Sequence, residues 1–246
     1  MMRRGGLHLV CLLMLLLLLT PTLLVADEKT INLESKILET FDPDTRTSDW
    51  LIRGSKFITE GYPKKAFAET WPEALYGSNI EQKELAVLGT QFKFDRQGYN
   101  YIEIIPVKED EEGNTVHNPI EIPGRVQQLD LWAWGSDFDY YMEAHIRDFR
   151  GVVHVLRMGS LNYVGWKNLR VDFPSYIPQS QQYTPYLAGL QLEKLVVWTQ
   201  PQERVHNCYL YIDQIKVLTD TFISRFDGDE LTRPEKVQEI WQSEGE

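Results

Sequence analysis

Cysteine is almost absent from this chain, with two in 246 residues, Cys11 and Cys208. Cys11 falls inside an apolar leader, so removing that leader leaves Cys208 alone, and no internal disulfide can form. At this length a hydrophobic core suffices without one, and Cys208, close to Val205, Tyr209 and Tyr211, reads as a small strand residue. Cations are scarce as well, since 25 Lys+Arg stand against 36 Asp+Glu for a net charge of −11. Such a chain is a poor fit to nucleic acid, whose phosphates need clustered cations, and to anionic lipid. A basic protein surface is its natural partner. The sequence also lacks a Walker loop, a dinucleotide fingerprint, an EF-hand, an HExxH pair and a Gly-x-Ser-x-Gly elbow; Gly159-Ser160 has no second glycine. With no long amphipathic helical pattern and no alternation of strands with helices, a doubly wound α/β fold is excluded.

The leader has its own order. Arg3 and Arg4 precede an apolar run from Leu7 to Leu19, Thr20-Pro21 breaks it, and Ala26 stands before Asp27-Glu28-Lys29. This is the charge, apolar run and small-residue sequence of a secretory signal peptide. Its apolar core is about 13 residues, short of the roughly 20 that a spanning helix needs. Cleavage after Ala26, ordinary export and no membrane anchor in the mature protein are expected. The absence of a cysteine at the cut argues against a lipid anchor. The mature chain then carries 23 cations and 36 anions, a net −13.

Aromatics are abundant, with seven Trp, twelve Tyr and ten Phe, and with Val and Ile they favour strands. Residues 27–47 read as an N-terminal arm with one short strand near 37–41. Residues 50–59 read as a strand. Residues 61–79, rich in Gly, Pro and aromatics without a clean period, read as a long structured loop of the kind that contacts partners. Alternation then marks strands over 85–95, 101–107, 125–135, 140–148, 152–158, 162–174, 187–199 and 205–219, with Arg150-Gly151 as a hairpin turn. The predicted body, residues 48–226, is a mostly β, antiparallel two-sheet sandwich of nine to eleven strands, of jelly-roll and carbohydrate-binding-module type, with long loops. A tail over 227–246 follows, in which Arg233-Pro234 starts a short helix through Val237, Ile240 and Trp241.

Sites are few. His117, His145, His154 and His206 are the histidines after the leader; His145 and His154 could face each other across the hairpin, but two histidines do not define a zinc site, and a structural or surface role is the simpler reading. Asp130, on the same face as Trp132 and Trp134, and Glu143 on the next strand are the one carboxylate pair that a sandwich glycosidase would need. Local hydrogen bonding for Asp130 is the simpler reading. Trp132 and Trp134 share one face of their strand and form a candidate platform, whereas Trp166 reads as a core or sheet-edge residue. Trp71, before Pro72 in the loop, is the tryptophan expected to be most accessible. Trp71, Tyr76, Trp132, Trp134 and Trp241 are the candidate partner contacts. Asp213, near the end of the closing strand, reads as a hydrogen-bond anchor, with a calcium ligand as the lesser alternative.

Several segments, taken in order, resemble one family. They are Gly54-Ser55-Lys56-Phe57 with Glu60-Gly61-Tyr62-Pro63; Leu88-Gly89 leading to Phe94-Asp95-Arg96-Gln97-Gly98-Tyr99-Asn100; Leu129-Asp130-Leu131-Trp132-Ala133-Trp134-Gly135; Tyr163-Val164-Gly165-Trp166-Lys167-Asn168-Leu169; and Tyr211-Ile212-Asp213-Gln214-Ile215-Lys216. Together they resemble the FlaA family, the outer-layer (sheath) proteins of spirochaete periplasmic flagellar filaments, over most of residues 48–230. The resemblance implies a structural protein of the periplasm. It would coat a core of flagellin subunits together with other sheath proteins and influence filament shape and stiffness, with no catalytic residue and no cofactor. Residues 61–79 and 227–241 are the candidate assembly patches, because a sheath needs two different complementary surfaces. The alternatives from other classes are a secreted non-catalytic carbohydrate-binding module and a sandwich hydrolase using Asp130 or Glu143.

Overall fold

A computed structural model describes residues 31–78, 84–179, 189–221, 231 and 234–241. The predicted signal peptide lies outside the described residues. Thirteen strands run in chain order: β1 Leu33–Glu39, β2 Asp49–Gly54, β3 Lys64–Ala68, β4 Val87–Phe92, β5 Tyr101–Glu109, β6 Thr115–His117, β7 Ile120–Ile122, β8 Arg125–Ser136, β9 Tyr141–Arg147, β10 Val153–Ser160, β11 Val164–Asp172, β12 Leu190–Trp198 and β13 Cys208–Asp220. Two short helices, α1 Glu73–Tyr76 and α2 Pro234–Trp241, complete the described elements. No helix among the described residues is long and apolar enough to cross a membrane.

The strands form an antiparallel two-sheet sandwich. Sheet A has the order β11-β8-β13-β4-β3, with β1 paired to the second half of β13. Sheet B has the order β10-β9-β12-β5-β2, with β6 on β5 and β7 on β12. The alternation read from residues 125–135 holds from Gln128 to Trp134; a register shift against β13 reverses it at Val126, which is buried, and Gln127, which is exposed. Leu129, Leu131 and Ala133 point inward and are fully buried, while Gln128, Trp132 and Trp134 point outward and are half-buried. The facing sheet contributes Ile102, Ile104, Met142, Ala144, Ile146, Leu192, Leu195 and Val197 to the same core.

Three features differ from the sequence reading. Residues 61–79 are not one loop, because they contain the edge strand β3 and the helix α1. Strand β3 pairs on one side only and is largely exposed, so burial imposed no alternation on it. Strands β6 and β7 are three residues each, too short for periodicity to register. The strand anticipated near 37–41 lies at Leu33–Glu39 and is an integral strand of sheet A.

Candidate functional site

The outward face of sheet A is built from side chains of alternate parity on five strands. Register places Trp166 of β11 beside Trp134 of β8, Trp134 beside Tyr211 of β13, Tyr211 beside Gly89 of β4, and Gly89 beside Ala66 of β3. Trp134 and Tyr211 meet edge to face with centroids 5.6 Å apart, a favoured aromatic geometry. The Tyr211 ring lies over Gly89, where a Cβ would come within 2.9 Å of it. The next row is Asn168, Trp132 and Asp213, and the Trp132 indole nitrogen is buried without a hydrogen-bond partner among the described residues. Asp130 accepts a hydrogen bond from Asn168 Nδ2 at 2.8 Å and lies 3.5 Å from Lys216 Nζ, which is the local role expected of it.

Asp213 is 2 % exposed. Its Oδ1 accepts the Gln214 amide at 2.8 Å, where a register shift and a φ of 43° at Gln214 mark a bulge in β13. Burial pushes its carboxyl up to about 7; the Gln214 hydrogen bond opposes that, and the negative Asp42 adds to it. The folded value exceeds the unfolded one. Stability from this group is therefore full below about pH 4 and is lost as pH rises through about 7. Asp213→Asn should flatten that loss, which is of order 3 kcal/mol. Urea titrations at pH 5 and pH 8 would read it, and an unchanged difference between the two would contradict it. No group of three or more His, Cys, Asp or Glu side chains converges as metal ligands among the described residues.

Sheet B presents a second surface. Tyr141 of β9, Trp198 of β12 and Tyr101 of β5 form one cross-strand row, with Tyr101 and Trp198 centroids 4.9 Å apart and Arg157 lying 4.4 Å over Tyr141. An ionic row follows it. Glu103 is held by Arg53 Nη2 at 2.6 Å and Lys194 Nζ at 2.5 Å, and Glu193 by Arg147 Nε at 2.6 Å. Burial pushes Glu103 up, but the hydrogen bonds from Lys194 and Arg53 outweigh it and hold the carboxyl below its ordinary range. The sequence reading missed the Tyr141–Trp198–Tyr101 row. Each residue has outward parity on its own strand, but the register joining them spans strands far apart in the chain.

One alternative is excluded here and one placement corrected. Glu143 does not lie beside Asp130. Although β9 follows β8 in sequence, it belongs to sheet B, so the two carboxylates sit on opposite outer faces and share no cleft. Glu143 instead accepts the Trp198 indole N–H at 2.8 Å. His145 and His154 do not face each other, because register sets His145 opposite Val155 and His154 opposite Ile146, which turns them to opposite faces. His154 is bonded to Asp148 Oδ2 at 2.8 Å, and His145 approaches Glu143 Oε2 at 3.4 Å. His117 bonds the Glu193 carbonyl at 2.9 Å, and His206 is exposed. Burial pushes the Cys208 thiol up, leaving it an unreactive strand residue.

The remaining candidates are scattered over the surface. Trp71 is half-buried and donates its indole N–H to the Gly77 carbonyl at 2.9 Å, pinning the α1 turn. The Tyr76 hydroxyl meets the Gln214 side chain, tying α1 to β13. Trp241, on α2, is 71 % exposed. Tyr76 thus stands beside the Gln214 bulge, next to Asp213 in the Trp132 row, while Trp241 is exposed on the tail helix.

The fold resembles solved carbohydrate-binding β-sandwiches. One is the family 11 carbohydrate-binding module of a Clostridium thermocellum cellulosomal cellulase (10% identity, 78% of this chain and 98% of that one, TM-score 0.41). Another is a module of the carbohydrate-binding β-sandwich superfamily (11% identity, 74% and 62%, TM-score 0.44). Sequence comparison finds a flagellar filament outer layer-like protein of Brachyspira hyodysenteriae, 25% identical over 196 residues, covering 70% of this chain and 86% of that protein. Residues 32–227, from the start of β1 to beyond the end of β13, match the family of flagellar filament outer layer proteins. With the match spanning the whole sandwich, the chain belongs to the flagellar filament outer layer protein family, FlaA.

Proposed function

We propose that this protein is a non-catalytic structural subunit of the sheath of a periplasmic flagellar filament. It is exported by its cleaved leader, binds flagellin core subunits and neighbouring sheath proteins, and contributes to filament shape, stiffness and motility. The observation that carries this reading is the extent of the family match, which covers the entire sandwich from residue 32 to residue 227. What the match covers is the β-sandwich body. Beside the aromatics that fill the core, others lie on outward faces, as Trp132 and Trp134 do on sheet A, and at exposed positions, as Trp241 does on α2, where they suit contact with partners. Asp130 and Glu143 stand on opposite faces and cannot act on one bond.

Purification of periplasmic filaments, followed by mass spectrometry of their surface layer, tests the proposal. Recovery of this chain in the layer, starting at Asp27, is the expected result. Its absence from filaments of cells that express it would overturn the assignment.

A second reading, glycan binding, is favoured by the Tyr141–Trp198–Tyr101 row, since half-buried aromatic faces on an outward sheet can stack on sugar rings. A glycan pull-down separates the readings, because retention lost in Trp198→Ala would place a sugar on sheet B.

A further inference from the structure

We propose that the Tyr141–Trp198–Tyr101 row and the cavity beside it form one binding site for a neutral oligosaccharide, whose rings stack on the row while its hydroxyls are read by the cavity. This rests on the glycan reading above and names the class of glycan and the residues that select it.

The cavity follows from the ends of three strands. Tyr141 opens β9, Tyr101 opens β5 and Trp198 closes β12. Because β12 runs antiparallel to both neighbours, the chain leaves all three strands at the same end of sheet B. Two positions beyond the row stand Asp139, Tyr99 and Gln200. With Pro201, Gln202 and Glu203 they line a cavity of about 430 Å³, within the roughly 300–1,000 Å³ span of ligand clefts. Its walls are tied together. The Gln97 side chain donates to the carbonyls of Gln202 and Glu203 at 3.2 and 3.1 Å, the Asp139 amide donates to Glu203 Oε2 at 3.0 Å, and the Thr199 hydroxyl donates to the Gly98 carbonyl at 2.7 Å. Held in this way, the three connections need little ordering when a ligand arrives.

The uncommitted groups point to the ligand. In the ionic row next to the aromatics, Arg53 and Lys194 are paired with Glu103, and Glu143 holds the Trp198 indole. At the row and the cavity the pattern is different. The hydroxyls of Tyr99, Tyr101 and Tyr141 and the carboxamides of Gln200 and Gln202 make no hydrogen bond among the described residues, and Tyr99 is 69 % exposed. Phenols and carboxamides each donate and accept, which is what a ring of hydroxyls requires.

Charge at the site is balanced. Glu203 is paired with Arg204. Arg157, over the Tyr141 ring, and Asp139, in the cavity wall, form no salt bridge among the described residues. One cation beside one anion leaves no net field to attract a charged ligand. An acidic polymer would need cations in excess. A protein partner would need an apolar anchor pocket, and among the described residues Pro201 is the cavity's only aliphatic wall. Aromatic faces, two-way hydrogen-bonding groups and balanced charge together fit a neutral glycan. Neighbouring strands are about 4.8 Å apart, so the row spans roughly 10 Å, which calls for more than one sugar ring.

A glycan array of neutral, uronic-acid and sulfated oligosaccharides, probed with the mature chain, residues 27–246, tests the class. Calorimetry on the best neutral sugar tests the residues. Neutral glycans should be retained over acidic ones, and the disaccharide should bind about tenfold tighter than its monosaccharide. Tyr99→Ala with Gln200→Ala should weaken binding by about tenfold and leave the unfolding temperature unchanged, because neither side chain is hydrogen-bonded among the described residues. Trp198→Ala should abolish binding. Retention lost in Trp198→Ala but unchanged, within about twofold, in Tyr99→Ala with Gln200→Ala would overturn the proposal and leave the glycan reading standing. A preference for acidic glycans would overturn it as well. Binding to no neutral sugar would remove both the proposal and the glycan reading, while recovery from filaments, and with it the sheath reading, would be untouched.

Discussion

Glu39→Ala is expected to lower the stability of the folded chain by about 3 kcal/mol, or roughly 6–12 °C in Tm for a domain of this size. Glu39 is 1 % exposed at the end of β1 and is surrounded by donors. Its Oε1 accepts the amides of Thr40 and Phe41, each at 3.0 Å. Its Oε2 accepts the amides of Thr47 and Ser48 at 3.3 and 3.2 Å and the Thr47 hydroxyl at 3.1 Å. One carboxylate thus closes the connection between sheet A and sheet B. It also fixes Phe41, which has a φ of 66° and is fully buried with its ring 5.3 Å from Trp50. A left-handed conformation at a bulky residue costs about 1–2 kcal/mol and persists only where neighbours enforce it. Alanine would leave four amides without an acceptor and release Phe41 from its place in the core. Urea unfolding of the mature chain measures the loss. Glu39→Gln, which keeps one acceptor oxygen, should fall between the two, and a loss under about 1 kcal/mol for Glu39→Ala would show that water satisfies these donors instead.

Gly135→Ala should be as damaging, at about 3 kcal/mol or more, for a reason that owes nothing to hydrogen bonding. The chain passes from sheet B to sheet A between Ser160, the end of β10, and Val164, the start of β11. Those three intervening residues lie directly on β8. A Cβ at Gly135 would stand 2.6 Å from the Tyr163 carbonyl oxygen and 2.9 Å from that of Leu161. Both are backbone atoms, and neither can rotate aside. The Tyr163 carbonyl is held by the Asp137 amide at 2.9 Å, and the Tyr163 hydroxyl is bonded to the Ala133 carbonyl at 3.1 Å. Relief would have to come from moving the crossing as a unit, which would pull Leu161 out of the core. Thermal unfolding by circular dichroism reads the effect, and a Tm within about 2 °C of wild type would mean that the crossing yields at little cost.

Much of the body was legible in the residues. The alternation at 125–135 marked β8 and separated its two faces from Gln128 to Trp134, though Val126 and Gln127 fall on the faces opposite to their parity, and the Arg150-Gly151 turn lies between β9 and β10 as read. The helix starting at Pro234 was also legible. Strand β3 was not, because one-sided pairing at a sheet edge buries too little to force a pattern. The hydrolase alternative that needed Asp130 beside Glu143 is excluded for a related reason: neighbours in sequence are not neighbours in the sheet when the chain changes layers between β8 and β9.

Side-chain period is a local property, so the sequence by itself determined that this is an acidic, aromatic-rich β chain, which residues share a face within its longer strands, and where the tail helix begins. Only the tertiary structure decided which outward residues stand together: Trp166 with Trp134 and Tyr211, Tyr141 with Trp198 and Tyr101, and Arg96 and Arg46 with the Phe57 and Phe67 rings. The physical reason is that loop-closure cost changes slowly with loop length, so spacing along the chain says little about which strands become partners. Packing of the whole core makes that choice.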